Sequence, residues 1–110
     1  MNVIEDRRDG VVLLRPVGQL TVTTQPALAQ ALGRALEQGE RRFVFDFDQT
    51  GYIDSSGMAA LAAGMRQVLE HGGDARAAGL NDDLRALFEL TKLDTLLRIS
   101  ATADEAVAAL

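Results

Sequence analysis

Phe43-Val44-Phe45-Asp46-Phe47, followed a few residues later by Tyr52-Ile53-Asp54-Ser55-Ser56-Gly57-Met58, is the stretch on which the fold turns. The first run is short, aromatic and β-branched, the composition of a strand covered on both faces. Beyond the second, Met58, Leu61, Ala62, Met65, Val68 and Leu69 recur at the spacing of one apolar stripe on an α-helix. Ser55 and Ser56 therefore stand where a strand hands over to a helix, at an N-terminus whose unpaired N–H groups and dipole favour negative charge. A phosphate placed there would be well received. Either Asp54 or Ser55 can cap this helix, a contact worth ~1 kcal/mol. A helix start needs only one such cap. Ser56, followed by a glycine with no Cβ to shield it, is left as an uncrowded, reachable hydroxyl.

The flanking sequence reads as alternating elements. Val3-Ile4 and Val11 to Val17 lie on either side of Asp9-Gly10, a turn dipeptide, and predict an N-terminal β-hairpin. Pro16 cannot donate to a ladder, which predicts an edge position or a strand end near Gly18. Leu20 to Val22 read as a further short extended piece. Thr23 or Thr24 can cap a helix with Pro26 in its first turn and Leu28, Ala31, Leu32, Ala35 and Leu36 as its buried stripe, stopped by Gly39. The second helix ends at His71-Gly72-Gly73, and Ala75 to Gly79 is an alanine-rich, weaker strand.

Asn81 can cap a third helix bearing Leu84, Leu87 and Phe88, with Asp82 and Asp83 at its positive end. Leu96 to Ile99 predict a last strand. Thr102-Ala103-Asp104-Glu105 has capping-box spacing before a terminal helix that turns Ala106, Val107 and Leu110 inward. The fold class is α/β: a mixed, mostly parallel sheet with an N-terminal hairpin and right-handed crossovers. Loops beyond the carboxyl ends of such strands carry function, and Asp54 to Gly57 occupy such an end.

The 110 residues suit a single domain spanning 1–110. A net charge of −5 opposes binding to nucleic acid, whose affinity rests on Lys and Arg neutralising phosphates. Arg7-Arg8 and Arg41-Arg42 read as solvated strand ends. Without cysteine there is no disulfide framework and no thiolate metal site. Met1 to Asp6 lack the basic region and long apolar run of a secretory signal, and no run approaches the ~20 residues that span a bilayer. The expected location is cytoplasmic, without membrane insertion.

Several chemistries fail on the residues. Neither serine carries the flanking glycines of G-x-S-x-G. His71, the single histidine, falls some four turns down the helix that Ser56 begins. Its expected role is a C-terminal cation or an exposed surface group. Gly51 and Gly57 lack P-loop spacing, and no G-x-G-x-x-G is present. Asp46, Asp48 and Asp54 repeat no known calcium or magnesium loop, and solvated or capping roles are expected for them. No catalytic residue, metal or cofactor is therefore assigned. Ser56 can still receive a phosphoryl group, because a kinase supplies base, metal and nucleotide.

Over nearly its whole length the chain resembles the STAS domain of bacterial anti-sigma factor antagonists. The resemblance is carried by Ile53-Asp54-Ser55-Ser56-Gly57 between strand and helix, the hairpin before it, and the run from Asn81 to Asp94 after it. It implies the STAS fold, with about four helices, and a regulatory, non-enzymatic role in partner switching, signal transduction and transcription regulation. It also implies that the second serine, Ser56, is phosphorylated by a serine kinase of the histidine-kinase-like ATPase type that doubles as an anti-sigma factor. The unphosphorylated form binds that kinase, and a PP2C-type phosphatase restores binding. Asp54, Ser55 and Gly57 would support the phosphorylation loop, and Thr21, Thr23 and Met58 would join the partner-binding surface.

Relatives commonly read G-E-L-D where this chain has Gly18-Gln19-Leu20-Thr21. They read T-G-L-D where it has Thr91-Lys92-Leu93-Asp94, and loss of that glycine is expected to alter the helix end. The missing acidic residue at Thr21 lends weight to an alternative: a constitutive STAS scaffold or lipid-transport subunit without a phospho-switch.

Overall fold

Asp9 and Gly10, at φ 54° and 78°, reverse the chain between β1 (Asn2–Arg8) and β2 (Val11–Leu20), which pair antiparallel as the hairpin requires. The computed structural model describes residues 2–110, so Met1 of the expected 1–110 domain lies outside them. After the hairpin come α1 (Gln25–Glu37), β3 (Arg42–Asp46), β4 (Thr50–Ile53), α2 (Ser55–Glu70) and β5 (Asp74–Ala78). The chain ends with α3 (Asp82–Leu90), α4 (Leu93–Leu96), β6 (Arg98–Ser100) and α5 (Ala103–Ala109). The described residues thus hold five helices where the sequence predicts about four, because a single turn, α4, precedes the last strand.

The sheet runs β1-β2-β3-β5-β6, and every pairing beyond the hairpin is parallel. β2 is long enough to serve two neighbours in turn. Its first half pairs with β3 at Val12–Leu14, and its second half pairs with β4 at Gly18–Leu20, across a bulge at Gly18/Gln19. β4 is not foreseen by the sequence reading, which runs directly from Phe47 to the serine loop. A four-residue strand containing Gly51 carries too little periodicity to be recognised.

Pro16 corrects a second expectation. It sits neither on an edge nor at a strand end but within β2, an interior strand. Pro16 falls between the two parallel ladders, where no β3 or β4 residue is registered opposite it, and its carbonyl accepts the Thr50 hydroxyl at 2.8 Å. The missing N–H therefore breaks no pairing on that side. The extended piece expected at Leu20 to Val22 is also absent: Leu20 ends β2, and Val22 stands in a turn, 64% exposed.

The helices divide unequally between the faces of the sheet. The larger layer packs Leu28, Leu32 and Leu36 of α1 and Met58, Leu61, Met65 and Val68 of α2 onto Val12, Leu14, Phe43 and Phe45. Each such Leu, Met or Phe contributes roughly 1.5–3 kcal/mol when fully buried. Phe88 of α3 meets Phe47 edge-to-face at 6.0 Å, which fastens α3 over the carboxyl end of β3. Among the described residues the opposite face is covered by α5 alone, whose Ala106 and Val107 rest on Val11, Leu13, Val44 and Ala78. On this side Asp46 departs from the solvated role expected of it. It is 2% exposed, and its Oδ2 accepts from Nε and Nη2 of Arg15 at 3.1 and 3.0 Å. Pairing of this kind is what makes a buried carboxylate tolerable.

Candidate functional site

The serine loop is built by two parallel neighbours, β2 and β4, that both lead into helices from their carboxyl ends. The Asp54 N–H donates to the Leu20 carbonyl at 3.1 Å, extending the β2–β4 ladder up to the first residue before α2. Asp54 then resolves the choice left by the sequence. It is the N-cap, in extended conformation, and its Oδ1 accepts from the Gly57 N–H at 2.8 Å. Ser55 and Ser56 are the first two residues of α2, positions whose N–H groups have no acceptor within a helix. Ser55 is exposed and Ser56 half-buried, and neither hydroxyl is hydrogen-bonded among the described residues.

Gly57 has a different task from the one expected of it. It is buried, and a Cβ added there would stand 2.5 Å from the Leu20 carbonyl oxygen and 2.8 Å from Ile53 Cγ2. The glycine lets the first turn of α2 press onto β2. That contact sets the serines directly beside the loop of residues 21–24.

This second loop is tied by Thr24, a residue the sequence reading treats only as a possible cap. Thr24 is the N-cap of α1 by position, yet its side chain caps nothing in the helix. Its Oγ1 accepts from the Thr21 N–H at 2.8 Å and donates to the Gln19 carbonyl at 2.7 Å. Thr21 is half-buried, and Thr23 and Val22 are exposed. Met58 is only 9% exposed and packs in the main core, so it offers the surface an edge rather than a full side chain.

That edge opens on an apolar hollow lined by Tyr52, Ile53, Asp54, Ser55, Met58, Leu87 and Thr91. Tyr52, 52% exposed, forms one wall, and α3 forms the other. Leu90, also on α3, is 82% exposed. Tyr52 and the α3 wall are missed by reasoning along the chain, because β4 and α3 come together here only in three dimensions. The sole local signal is an aromatic immediately before the Ile53-Asp54 pair.

The remaining candidates lie elsewhere. His71 caps the far end of α2, exposed, with Nδ1 2.7 Å from the Gln67 carbonyl. A carbonyl accepts, so Nδ1 carries the proton. Fifteen residues of helix at ~1.5 Å each separate it from Ser56, which rules out a serine–histidine couple within the chain. Asp46 and Asp48 both face Arg15. Among the described residues no group of three or more His, Asp or Glu is placed to hold a metal ion. Lys92 takes up φ 64°, the left-handed conformation that a glycine would adopt there. α3 ends immediately before it, with Thr91 as C-cap.

Residues 2–106 match the family model described as the STAS domain. The chain is 26% identical over 107 residues to the anti-sigma-B factor antagonist of Bacillus subtilis, covering 97% of each protein. The crystal structure of an anti-sigma factor antagonist from Mycobacterium paratuberculosis superposes with a TM-score of 0.88 at 26% identity, covering 98% of this chain and 92% of that one. The Bacillus protein SpoIIAA, solved in unphosphorylated and phosphorylated forms, shares the fold with a TM-score of 0.76 at 19% identity, over 98% of this chain and 96–98% of that one.

Proposed function

The chain belongs to the STAS domain family, and from that premise we propose that it is an anti-sigma factor antagonist whose partner binding is switched by phosphorylation of Ser56. In this reading it is not an enzyme. It binds a serine kinase of the histidine-kinase-like ATPase type, itself the anti-sigma factor, while unphosphorylated. Phosphorylation releases it, and a PP2C-type phosphatase resets it.

The observation that carries this reading is the placement of Ser56: an unengaged hydroxyl in the first turn of α2, beside free N–H groups and next to Ser55, which borders an apolar hollow. Phosphorylation there adds about −1.5 to −2 charges at neutral pH. The helix terminus stabilises that charge within the folded domain. At a docked interface the same charge lies close to Asp54 in sequence and has to be desolvated. A tenfold loss of affinity needs only ~1.4 kcal/mol, which an unpaired desolvated charge exceeds. Fold and interface are thereby uncoupled, as a reversible switch demands. The partner surface comprises Thr21 and Thr23 from one loop, Ser55 and the Met58 edge from the other, and Tyr52 between them.

The test is incubation with the cognate kinase and ATP, followed by intact-mass and peptide analysis. One phosphoryl group on Ser56, absent in Ser56→Ala, together with weakened kinase binding by Ser56→Asp, is the expected result. Kinase binding indifferent to Ser56→Asp would instead favour constitutive docking.

A further inference from the structure

The two-helix layer holds a slot that neither the core nor the serine loop uses. It lies between α1 and α2, has a volume of about 240 Å³ and reaches down to Phe45 of the sheet. Leu28, Leu32, Phe45 and Leu61, all buried, form its floor, and small residues of α2, Ala60, Ala63 and Gly64, form one wall. Gly64 draws the helices together: a Cβ there would stand 3.0 Å from Leu32 Cδ2, so α1 and α2 already touch at this level. The slot is also without charge. No ionisable residue lines it, and none occurs in Gln25 to Gly33 or in Ser55 to Met65, although 25% of the chain is charged. Its polar side chains are Gln25 and Gln67. Their backbones are engaged, the Gln25 N–H donating to the Thr21 carbonyl at 2.8 Å and the Gln67 carbonyl accepting from His71 at 2.7 Å. Among the described residues both side-chain amides are left without a partner.

We propose that this slot binds a small, neutral, planar heteroaromatic molecule of the indole class, its ring over Leu28 and Leu61 and its polar edge at Gln25 or Gln67. Size sets the first limit. A cavity of roughly 150 Å³ lined by Leu, Ile and Phe holds benzene, so 240 Å³ has room for a second fused ring but falls short of a drug-sized ligand. Shape sets the second, because helices in contact at Gly64 leave a space that is narrow between their axes and longer along them, which suits a flat ring. Charge sets the third. An ionised ligand would lose its hydration against apolar side chains with no counter-charge to replace it. A side-chain amide both donates and accepts, so either glutamine can meet a single ring N–H. Ala60 follows Ser56 by four residues, about 6 Å along α2 at the helical rise, so the slot opens next to the serine loop without including it.

The test is an NMR titration of the full chain with indole, 1-methylindole and indole-3-carboxylate, with intermolecular NOEs to locate the ring. Indole is expected to give saturable shifts at Leu28, Ala60, Leu61 and Gly64, a dissociation constant below ~1 mM, and NOEs to the Leu28 and Leu61 methyls. 1-Methylindole, which lacks the N–H, should bind at least about threefold more weakly, and indole-3-carboxylate at least about tenfold. Ala60→Leu and Ala63→Leu fill the slot from helix positions that are not buried, and leucine is a good helix former. Each should weaken indole at least about tenfold with an unchanged circular dichroism spectrum, whereas Ala60→Ser, which keeps the space open, should bind as the parent does. The proposal is overturned if indole gives no saturable shifts at these residues, if its NOEs fall instead on the Tyr52 hollow, if both leucine variants bind as well as the parent, or if either analogue binds as tightly as indole.

Discussion

The Leu20 carbonyl oxygen lies where a Cβ on Gly57 would approach to 2.5 Å, so the helix that begins with the two serines can seat itself on β2 only with glycine at position 57. Sheet and serine loop are coupled through this one contact. Backbone cannot yield as the far end of a flexible side chain does. Gly57→Ala should therefore destabilise the fold by ~1–3 kcal/mol, as overpacking does, despite the better helix propensity of alanine. A lower urea midpoint at constant m-value is the expected observation; an unchanged or higher midpoint would show that the loop has room to shift.

Arg15 and Asp46 form a pair in which the carboxylate is almost wholly buried and the guanidinium partly exposed, at 3% and 27% of their side-chain surfaces. Arg15→Met should cost ~2–3 kcal/mol, somewhat less than breaking a fully buried pair, because it leaves Asp46 inside with little beyond the Asp48 N–H. Adding Asp46→Leu should recover part of that loss. Chemical denaturation of the two single variants and the double variant measures the coupling directly.

Lys92 holds φ 64°, a conformation that costs a side-chain-bearing residue ~1–2 kcal/mol, against ~0.5–1 kcal/mol for the extra unfolded-state freedom of glycine. Lys92→Gly should thus raise stability, by up to ~1 kcal/mol. Thermal unfolding at matched pH checks the sign, and a lower melting temperature would mean that the lysine makes compensating contacts.

Tyr52 supplies about half its surface to solvent at the wall of the hollow beside Ser55. Tyr52→Ala should leave stability within about 1 kcal/mol, as is usual for exposed positions. On the reading proposed above it should weaken the complex with the kinase at least about tenfold, since exposed aromatics at apolar hollows carry a large share of interface energy. Calorimetry on the unphosphorylated protein separates the two effects.

Much of the fold could be read directly. The stripes of α1 and α3, the turn at Asp9-Gly10 and the caps at Asp54, Asn81 and Thr102 are set by neighbours within a few residues, and each is found where its spacing places it. Elements that owe their existence to a distant partner were not readable in this way. β4 is held by the second half of β2, and α4 is one turn between α3 and β6. Pro16 misled because its tolerance depends on where two other strands stop. At the candidate site the sequence singles out Ser56 and its cap, but not the Tyr52 wall, the α3 wall or the way Thr24 ties the neighbouring loop.

What the chain determined unaided is a hydroxyl at a helix start behind a buried strand, because periodicity and capping are local properties of consecutive residues. What only the folded molecule decided is the company that hydroxyl keeps: the loop of residues 21–24 reached through the Leu20–Gly57 contact, and the hollow bordered by its neighbour Ser55. These depend on strand order and register, which bring residues far apart in sequence within contact distance and which no short stretch of sequence encodes.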